Sequence, residues 1–372
     1  MARRFFPQLI SMILLLTALV LTGCRDKKPI YLGYAGPLTG KFADLGIAGR
    51  DGVVLAVEEI NAGGGIAGRE IELLSKDDAQ DPQQAQKVDQ ELVDAGAVAV
   101  IGHMTSVMSV AGLPVVNRAH LVMLSPTTSS NDLTGIDDYF LRVYPPSSQV
   151  AHLLSTHAIE KLDIRSISVV YDISNEAHTL GWYKYFRENH QRLGGRIVQE
   201  FPFKGGKADF SHLAEQIKAG GSQGLFIIAG AMDTAMICQH LRRSGFGMPI
   251  VVSEWSTTDE LLSQGGTAVE GINFYQTFDR NSDQPAYVAF RKNYRERFRR
   301  EPTFASVHAY DSAKLVFSAL TRDSDPKKLK QTILSMANFN GLQDQIMIDR
   351  FGDPKRTPFL MVIKNGTFQR VR

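Results

Sequence analysis

Hydrophobic and polar residues follow two alternating patterns along most of the chain. Short apolar runs, typical of buried strands, are each followed by a longer segment in which apolar residues recur every three or four positions, as in amphipathic helices. Up to residue 143 the pattern predicts strand Ile30–Ala35, helix Leu45–Asn61, strand Glu70–Lys76, helix Pro82–Ala95, strand Ala97–Gly102, helix Thr105–Ala119, strand Leu121–Ser125 and strand Phe140–Val143.

Pro145 and Pro146 interrupt this pattern, which then begins again. Alternating strands and helices indicate parallel sheets with helices on both faces, so we predict an α/β fold of two Rossmann-like lobes. The tail holds too few strands for a third domain and is expected to complete the first two. The second block predicts helices 151–161, 179–193, 210–218, 234–244, 287–299 and 305–320, and strands 166–171, 196–201, 225–229, 250–253, 272–277, 345–348, 359–363 and 367–371.

The N-terminal segment has the order of a secretory signal. Arg3 and Arg4 precede an apolar run, Leu9–Leu21, which closes in Leu-Thr-Gly-Cys at Leu21–Cys24. This ending resembles a bacterial lipoprotein signal, and the resemblance implies cleavage before Cys24 and lipid on that residue. A transmembrane anchor is the alternative, but the apolar run is short for a span of ~20 residues. We therefore expect an extracytoplasmic, periplasmic or cell-surface protein tethered to a membrane.

Charge and cysteine content narrow the function further. Removing residues 1–23 takes away two of the 41 basic residues, which leaves 39 against 39 acidic residues. A neutral chain lacks the basic stripe that nucleic-acid binding needs, so no such partner is expected. Cys238 lies in a predicted helix and is expected to be a small buried residue rather than a reactive thiol. The histidines are scattered and no zinc-site spacing occurs, so no metal or cofactor is expected.

Two glycine motifs match signatures of nucleotide binding and hydrolysis. Gly63–Gly68 fits G-x-G-x-x-G, and Gly220–Gly224 fits G-x-S-x-G. Both signatures work only between a strand and the helix that follows it, whereas both motifs here lie between a helix and a following strand. We interpret them as turns, and we expect a protein that is not an enzyme.

Polar residues follow two neighbouring strands of the predicted first sheet. They occupy His103–Ser106 and Pro126–Ser130. Open α/β sheets bind ligands beyond the carboxyl ends of their strands. Hydroxyls and free backbone N–H groups at such ends can hold a carboxylate, although Thr105 or Ser129 could equally be plain helix caps.

A charged and aromatic pair follows a strand of the second block. Glu254 and Trp255 come directly after the strand at 250–253. The carboxylate could pair with an ammonium group, and the ring could add cation–π attraction. A solvated loop glutamate is the alternative.

Several motifs in register resemble one family. Tyr34–Gly40, Glu59–Gly68, Asp77–Pro82, Val100–His103 and Ser125–Thr127 resemble segments of the leucine/isoleucine/valine-binding proteins, which are type I periplasmic solute-binding proteins. The resemblance implies two α/β lobes joined by a three-crossover hinge that close around a ligand. It implies a signal peptide at 1–23, a tether at 24–29, an N-terminal lobe of 30–143 plus 278–342, and a C-terminal lobe of 144–277 plus 343–372.

The resemblance also implies a ligand site. Ser106 and Ser129 fall where hydroxyls bind the ligand carboxylate, Thr127 where a backbone group helps, and Glu254 where an acidic residue takes the ammonium. His178 and Ala231 stand where the family has tyrosines, and His178 as a surface loop residue is an open alternative. The full candidate site is Met104, Ser106, Thr127, Ser129, His178, Ala231, Glu254 and Trp255.

One structural departure and the expected function complete the resemblance. Gln80 and Thr105 stand where the type protein has a disulfide.

We expect a monomer that captures an amino acid of branched-chain or aliphatic type and delivers it to an ABC permease, with Cys24 providing the membrane anchor. A ligand-sensing receptor subunit and a binder of a small amide or another carboxylate are the alternatives.

Overall fold

The structure is a computed structural model that describes residues 28–205, 208–336 and 338–371. The signal segment and Cys24 lie outside these residues. The first block contains β1 (Ile30–Gly36), α1 (Ala43–Ala62), β2 (Ile71–Asp77), α2 (Pro82–Asp94), β3 (Ala99–Ile101), α3 (Ser106–Ala119), β4 (Val122–Ser125) and β5 (Phe140–Arg142).

The second block repeats the alternation and is followed by helices and a β-rich tail. Its elements are α4 (Ser147–Glu160), β6 (Ser166–Asp172), α5 (Glu176–Arg192), β7 (Arg196–Phe203), α6 (Phe210–Ala219), β8 (Gly224–Ile228), α7 (Ala231–Arg243), β9 (Ile250–Val252), α8 (Asp259–Gly265) and β10 (Asn273–Gln276). The remainder is α9 (Pro285–Phe298), α10 (Phe304–Arg322), α11 (Leu329–Met336), β11 (Asn338–Asn340), β12 (Gln345–Ile348), β13 (Pro354–Lys355), β14 (Phe359–Lys364) and β15 (Thr367–Arg370).

The strands form two large sheets and a small one. A parallel sheet has the order β2-β1-β3-β4-β5, and a second sheet has the order β15-β14-β10-β9-β8-β6-β7. The second sheet is parallel except for β14 and β15, which join it antiparallel. The predicted α/β fold with parallel sheets is therefore confirmed.

The tail differs from the prediction in one respect. β14 and β15 extend the second sheet, but β12 pairs with β11 and β13 in a separate antiparallel sheet. Ile346 and Ile348 of β12 alternate with exposed neighbours and pack into the core of the first sheet. Burial of one face of β12 thus does not require its backbone to join a large sheet.

Each large sheet is covered by helices on both faces. Residues of β8 are buried throughout, as expected of a central parallel strand. The cores contain Leu32 and Tyr34 on one face of the first sheet and Val100 on the other, and separate clusters around Ile227 and Phe226 on the two faces of the second. We call the first sheet with its packed helices the first lobe, and the second sheet with its helices the second lobe.

The chain crosses between the lobes after β5, after β10 and before β14. Two buried arginines brace these crossings. Arg142 Nε donates to Asp353 Oδ1 (2.8 Å), and Arg356 donates to the carbonyl of Val143 (3.2 Å). These bonds tie the crossing after β5 to the segment that precedes β14.

Candidate ligand-binding site

A cavity lies between the lobes at the carboxyl ends of their strands. It is a narrow cleft, lined from the first lobe by the loops after β3 and β4, and from the second by the loops after β6 and β9. This is the position at which open α/β sheets bind ligands. The lining residues are Leu45, Met104, Thr105, Ser106, Thr127, Asn175, His178, Glu254, Trp255 and Phe304.

Glu254 supplies an unpaired carboxylate oxygen to this cavity. The residue is 3% exposed, so it is not the solvated loop glutamate that the sequence left open. Within the described part of the chain, its Oε2 has no hydrogen-bond partner. Burial raises the pKa of Glu254 to about 8, against the opposing effects of its own backbone N–H and the Trp182 indole. A buried carboxylate of this kind gains most from a ligand that donates hydrogen bonds with a positive charge.

His178 closes the cavity from the second lobe. It lies in the first turn of α5 and is 4% exposed, so the alternative of a surface loop histidine is wrong. Its Nδ1 is 2.7 Å from Ser129 Oγ, and its ring packs edge-on against Trp255 at 5.4 Å. Burial lowers the pKa of His178 to about 3, so the imidazole is neutral. Its Nε2 has no partner among the residues that the structure describes.

Ser129 is therefore placed differently from the expectation. Its hydroxyl bonds to His178 across the cleft instead of pointing freely into the cavity, and its backbone N–H donates to Ser106 Oγ (3.3 Å). The sequence resemblance could not foresee this bond, because it forms only where α5 of the second lobe meets the first lobe. Ser129 now orients both Ser106 and His178.

The first-lobe wall presents donors for an anion. Ser106 is the first residue of α3, where backbone N–H groups are free of intrahelical partners. Thr127 Oγ1 donates to the Met104 carbonyl (2.6 Å) and so joins the two loops. A carboxylate at this wall would meet hydroxyl and backbone donors at the positive end of a helix.

A buried charged triad supports this wall from below. His103 Nδ1 is 2.8 Å from Asp78 Oδ2, its Nε2 is 3.2 Å from Asp89 Oδ2, and all three side chains are fully buried. Burial alone would lower the pKa of His103, but the Asp89 charge and the bonds to both carboxylates raise it to about 10. The carbonyl of His103 accepts from Ser125 Oγ (2.8 Å), which ties the loops after β3 and β4 together.

Two further sequence expectations concern this region. Gln80 Nε2 donates to Thr105 Oγ1 (2.8 Å), so the two positions that hold cysteines in the type protein are in contact here through a polar bond. Ala231 is buried at the start of α7, but it is not one of the described residues that line the cavity.

Four lining residues are not among the candidates predicted from the sequence. Leu45 and Phe304 lie in the first turns of α1 and α10, where an apolar residue reads as ordinary core. Asn175 accepts from the Val107 N–H of the first lobe (3.1 Å). Thr105 lies in the stretch His103–Ser106 that the sequence predicts to suit an anion, but a helix cap was an equal alternative for it. The recurrent signal, a residue next to the carboxyl end of a strand, would have found Asn175.

A short first-lobe segment, residues 41–44, docks into the second lobe beside the cavity. We call it the closing segment. Gly205 of the second lobe leaves room for Lys41, because it has no side chain. A Cβ at that position would lie only 2.5 Å from Asp172 Oδ2 and 2.6 Å from Lys41 Nζ. The docking contacts are an ion pair of Lys41 with Asp233, ring packing of Phe42 on Trp255 at 5.2 Å, and a bond from Thr258 Oγ1 to Asp44 Oδ2 of 2.6 Å.

In residues 28–205, 208–336 and 338–371, no three His, Cys, Asp or Glu side chains converge as metal ligands would. Burial raises the pKa of Cys238 to about 12, which agrees with the predicted small buried residue. The motifs Gly63–Gly68 and Gly220–Gly224 lie between a helix and a strand, as predicted. Over the same described ranges, no helix combines the length and the apolar character that crossing a bilayer needs.

The family described as "Periplasmic binding protein" matches residues 29–367. The chain belongs to this family. Membership implies a solute-binding protein located outside the cytoplasm, and the resemblance stated from the sequence motifs is confirmed.

Three relatives illustrate the match. An "Amino acid binding protein" of Pseudomonas aeruginosa is 26% identical over 314 residues, 82% of each chain. The branched-chain amino acid transporter substrate binding protein LivJ from Streptococcus pneumoniae, in complex with isoleucine, is 26% identical with a TM-score of 0.86, and the match covers 92% of this chain and 99% of that one. An ABC transporter substrate-binding protein from Desulfitobacterium hafniense, in complex with Leu, is 25% identical with a TM-score of 0.76, covering 93% and 100%.

Proposed function

We propose that this periplasmic binding protein captures an amino acid of branched-chain or aliphatic type and delivers it to an ABC importer. The observation that carries the proposal is the unpaired, buried carboxylate oxygen of Glu254, which faces a cavity whose opposite wall begins a helix at Ser106. An α-ammonium pairs with the first and an α-carboxylate with the second. Two similar proteins whose structures were solved in complex with isoleucine or leucine support this class of ligand.

The placement of the two charges explains how such a ligand closes the protein. The ammonium partner, Glu254, belongs to the second lobe, while the carboxylate partners, Ser106 and Thr127, belong to the first. A ligand with both charges contacts both lobes only in the closed form, so its differential affinity favours closure. We further propose that the closed form docks on the permease and that no covalent step occurs in the cavity.

The remaining assignments are part of the same proposal. The sequence motifs suggest lobes of 30–143 plus 278–342 and 144–277 plus 343–372. The crossings after β5 and after β10 support the first two boundaries, but β12 packs into the core of the first sheet, so we move the third boundary to the segment before β14. Residues 1–23 are a signal peptide, 24–29 a tether, and Cys24 carries lipid, so the monomeric chain acts as a membrane-anchored lipoprotein.

A thermal-shift screen of the chain from Asp26 onward against all amino acids, small amides, sugars and dicarboxylates tests the function. A ligand at 100 times its dissociation constant stabilises the folded state by ~2.7 kcal/mol, which gives a readily measured rise in melting temperature. We expect aliphatic amino acids to give the largest rises. Hits confined to sugars or dicarboxylates would contradict the proposed ligand class.

Replacing Lys41 by methionine is expected to weaken amino-acid binding about tenfold, although Lys41 does not line the cavity. The ion pair with Asp233 exists only when the closing segment is docked, so its loss lowers the population of the closed, high-affinity form. Isothermal titration calorimetry measures the change in affinity, and small-angle scattering with saturating ligand shows that the variant still closes.

Lys204 provides the matched control for this prediction. It is exposed on the second lobe directly before Gly205, so Lys204→Met removes the same charge close to the same place without affecting the ion pair. Equal affinities of the Lys41 and Lys204 variants would show that the closing segment does not contribute to closure.

A further inference from the structure

The outer surface of α9 carries a cluster of positive charge outside the ligand cavity. Five basic side chains line one shallow groove there, and two carboxylates accompany them. The mature chain is formally neutral, so the excess of positive charge in this groove is matched by an excess of negative charge elsewhere in the chain. We call it the basic surface; its basic members are Arg291, Lys292, Arg295, Arg299 and Arg300.

The ion pairs within the basic surface leave it positive. Glu301 is shared by Arg291 at 2.8 Å and Arg295 at 3.3 Å, so one carboxylate serves two guanidinium groups. Lys292 is 73% exposed, and its partner carboxylate lies 3.9 Å away, close to the longest distance that counts as an ion pair. Arg300 is paired with Asp51 of α1, whereas Arg299 forms no ion pair with a carboxylate of the described ranges. Exposed cations of this kind remain available to an external anion.

The basic surface lies on the helix pair that also leads to the start of the described chain. Arg297 of α9 pairs with Glu58 in the last turns of α1 (2.9 Å). The end of α1 is fixed to β2 by Asn61, which exchanges hydrogen bonds with the backbone of Ile71. Next to that strand, the Arg69 guanidinium holds the carbonyls of residues 28 and 29 at 2.7 and 3.0 Å.

The proposed lipid on Cys24 would bring this end of the first lobe close to the membrane. Lys28 is four positions after Cys24, and a fully extended chain of that length reaches at most about 14 Å. The tether itself contains Arg25, Lys27 and Lys28 against Asp26. Lipid on Cys24 would therefore hold a basic segment and the adjoining end of the first lobe within headgroup distance.

We propose that the basic surface binds the phosphodiester headgroups of an anionic phospholipid leaflet and so holds the first lobe against the membrane. Clusters of Lys and Arg beside a membrane anchor are attracted to anionic lipid over about a Debye length. The proposal rests on the proposed lipidation of Cys24 for its location. The surface itself is present in the unlipidated chain and can be tested without the anchor.

Co-sedimentation of residues 26–372 with vesicles tests the proposal, because these residues contain every described strand and helix. We expect binding to vesicles containing phosphatidylglycerol, no binding to pure phosphatidylcholine, and loss of binding in high salt. The variant Lys292→Ala/Arg295→Ala/Arg299→Ala is expected to bind at least about tenfold more weakly. A control that removes equal charge from exposed second-lobe positions, Lys161→Ala/Lys184→Ala/Arg196→Ala, is expected to bind like the unchanged chain.

Each other outcome overturns the proposal. Equal losses in the two triple variants would show attraction by net charge alone. Displacement from the vesicles by millimolar inorganic phosphate at constant ionic strength would show a site for a free anion, and failure of the unchanged chain to bind anionic vesicles would show no lipid surface. Amino-acid affinity measured on the same variants keeps this result separate from the proposed transport function, which they leave unchanged.

Discussion

Replacing His103 by leucine is expected to lower the free energy of unfolding by about 3–5 kcal/mol. The imidazolium lies between the carboxylates of Asp78 and Asp89, and all three side chains are fully buried. Leucine fills similar space but leaves two buried carboxylates without their cation. Urea denaturation followed by circular dichroism measures the loss.

The pH dependence of stability identifies the charge of His103 as the cause. Its folded-state pKa of about 10 is raised above the ordinary value of 6.5. The stabilisation is therefore fully present below pH 6.5 and is lost as the pH rises through 10. We expect the unchanged protein to lose stability between pH 6.5 and 10 through this group, and the leucine variant to lack that contribution.

Two further variants separate this interaction from loss of packing. His152→Leu changes an exposed histidine and is expected to alter stability by less than about 0.5 kcal/mol. Adding Asp78→Asn and Asp89→Asn to His103→Leu removes the unpaired charges and is expected to restore part of the loss. If the triple variant were no more stable than His103→Leu, repulsion and desolvation of the carboxylates would not explain the effect.

The fold was predictable because its strongest signals are local. A buried parallel strand such as β8 and a long amphipathic helix such as α2 each carry their pattern within one segment. Short elements without a continuous apolar run, including β11 and β13, were missed since their pairing depends on residues distant in the chain. The helix Leu329–Met336 was missed as well, because eight residues make only about two helical turns and give little periodicity.

The sequence predicted the approximate position of the site but not the contacts between the lobes. Ser106 and Glu254 could each be placed at the carboxyl-end edge of its own sheet, because the parallel strands of one sheet share their carboxyl ends. The bond from Ser129 to His178 and the approach of Phe304 depend on how two lobes meet. The spacing of residues within one lobe does not determine how the two lobes contact each other, so the bond of the Ser129 hydroxyl to His178 could not be predicted from the sequence.

Replacing Glu254 by glutamine is expected to stabilise the ligand-free protein by about 2–3 kcal/mol at pH 7. The folded-state pKa of about 8 is raised above the ordinary 4.5, so stability from the protonated carboxyl is fully present below pH 4.5 and lost as the pH rises through 8. Glutamine is neutral at every pH and avoids this loss. Thermal unfolding should therefore show a higher melting temperature for the variant at pH 7 and equal temperatures near pH 4.5.

The same substitution is expected to weaken amino-acid binding by at least ~1.5 kcal/mol, the low end for a hydrogen bond to a charged group. Binding of an ammonium requires ionised Glu254, so the affinity of the unchanged protein should rise from pH 6 to pH 8, while that of the variant stays flat. Calorimetric titrations at several pH values measure both trends, with Glu176→Gln, an exposed residue two positions from His178, as the control. A variant that gains stability yet keeps its affinity would show that the buried carboxylate does not contact the ligand. The gain in stability would confirm that residue 254 is buried in the folded protein, so the unchanged affinity would have to mean that the ligand binds elsewhere.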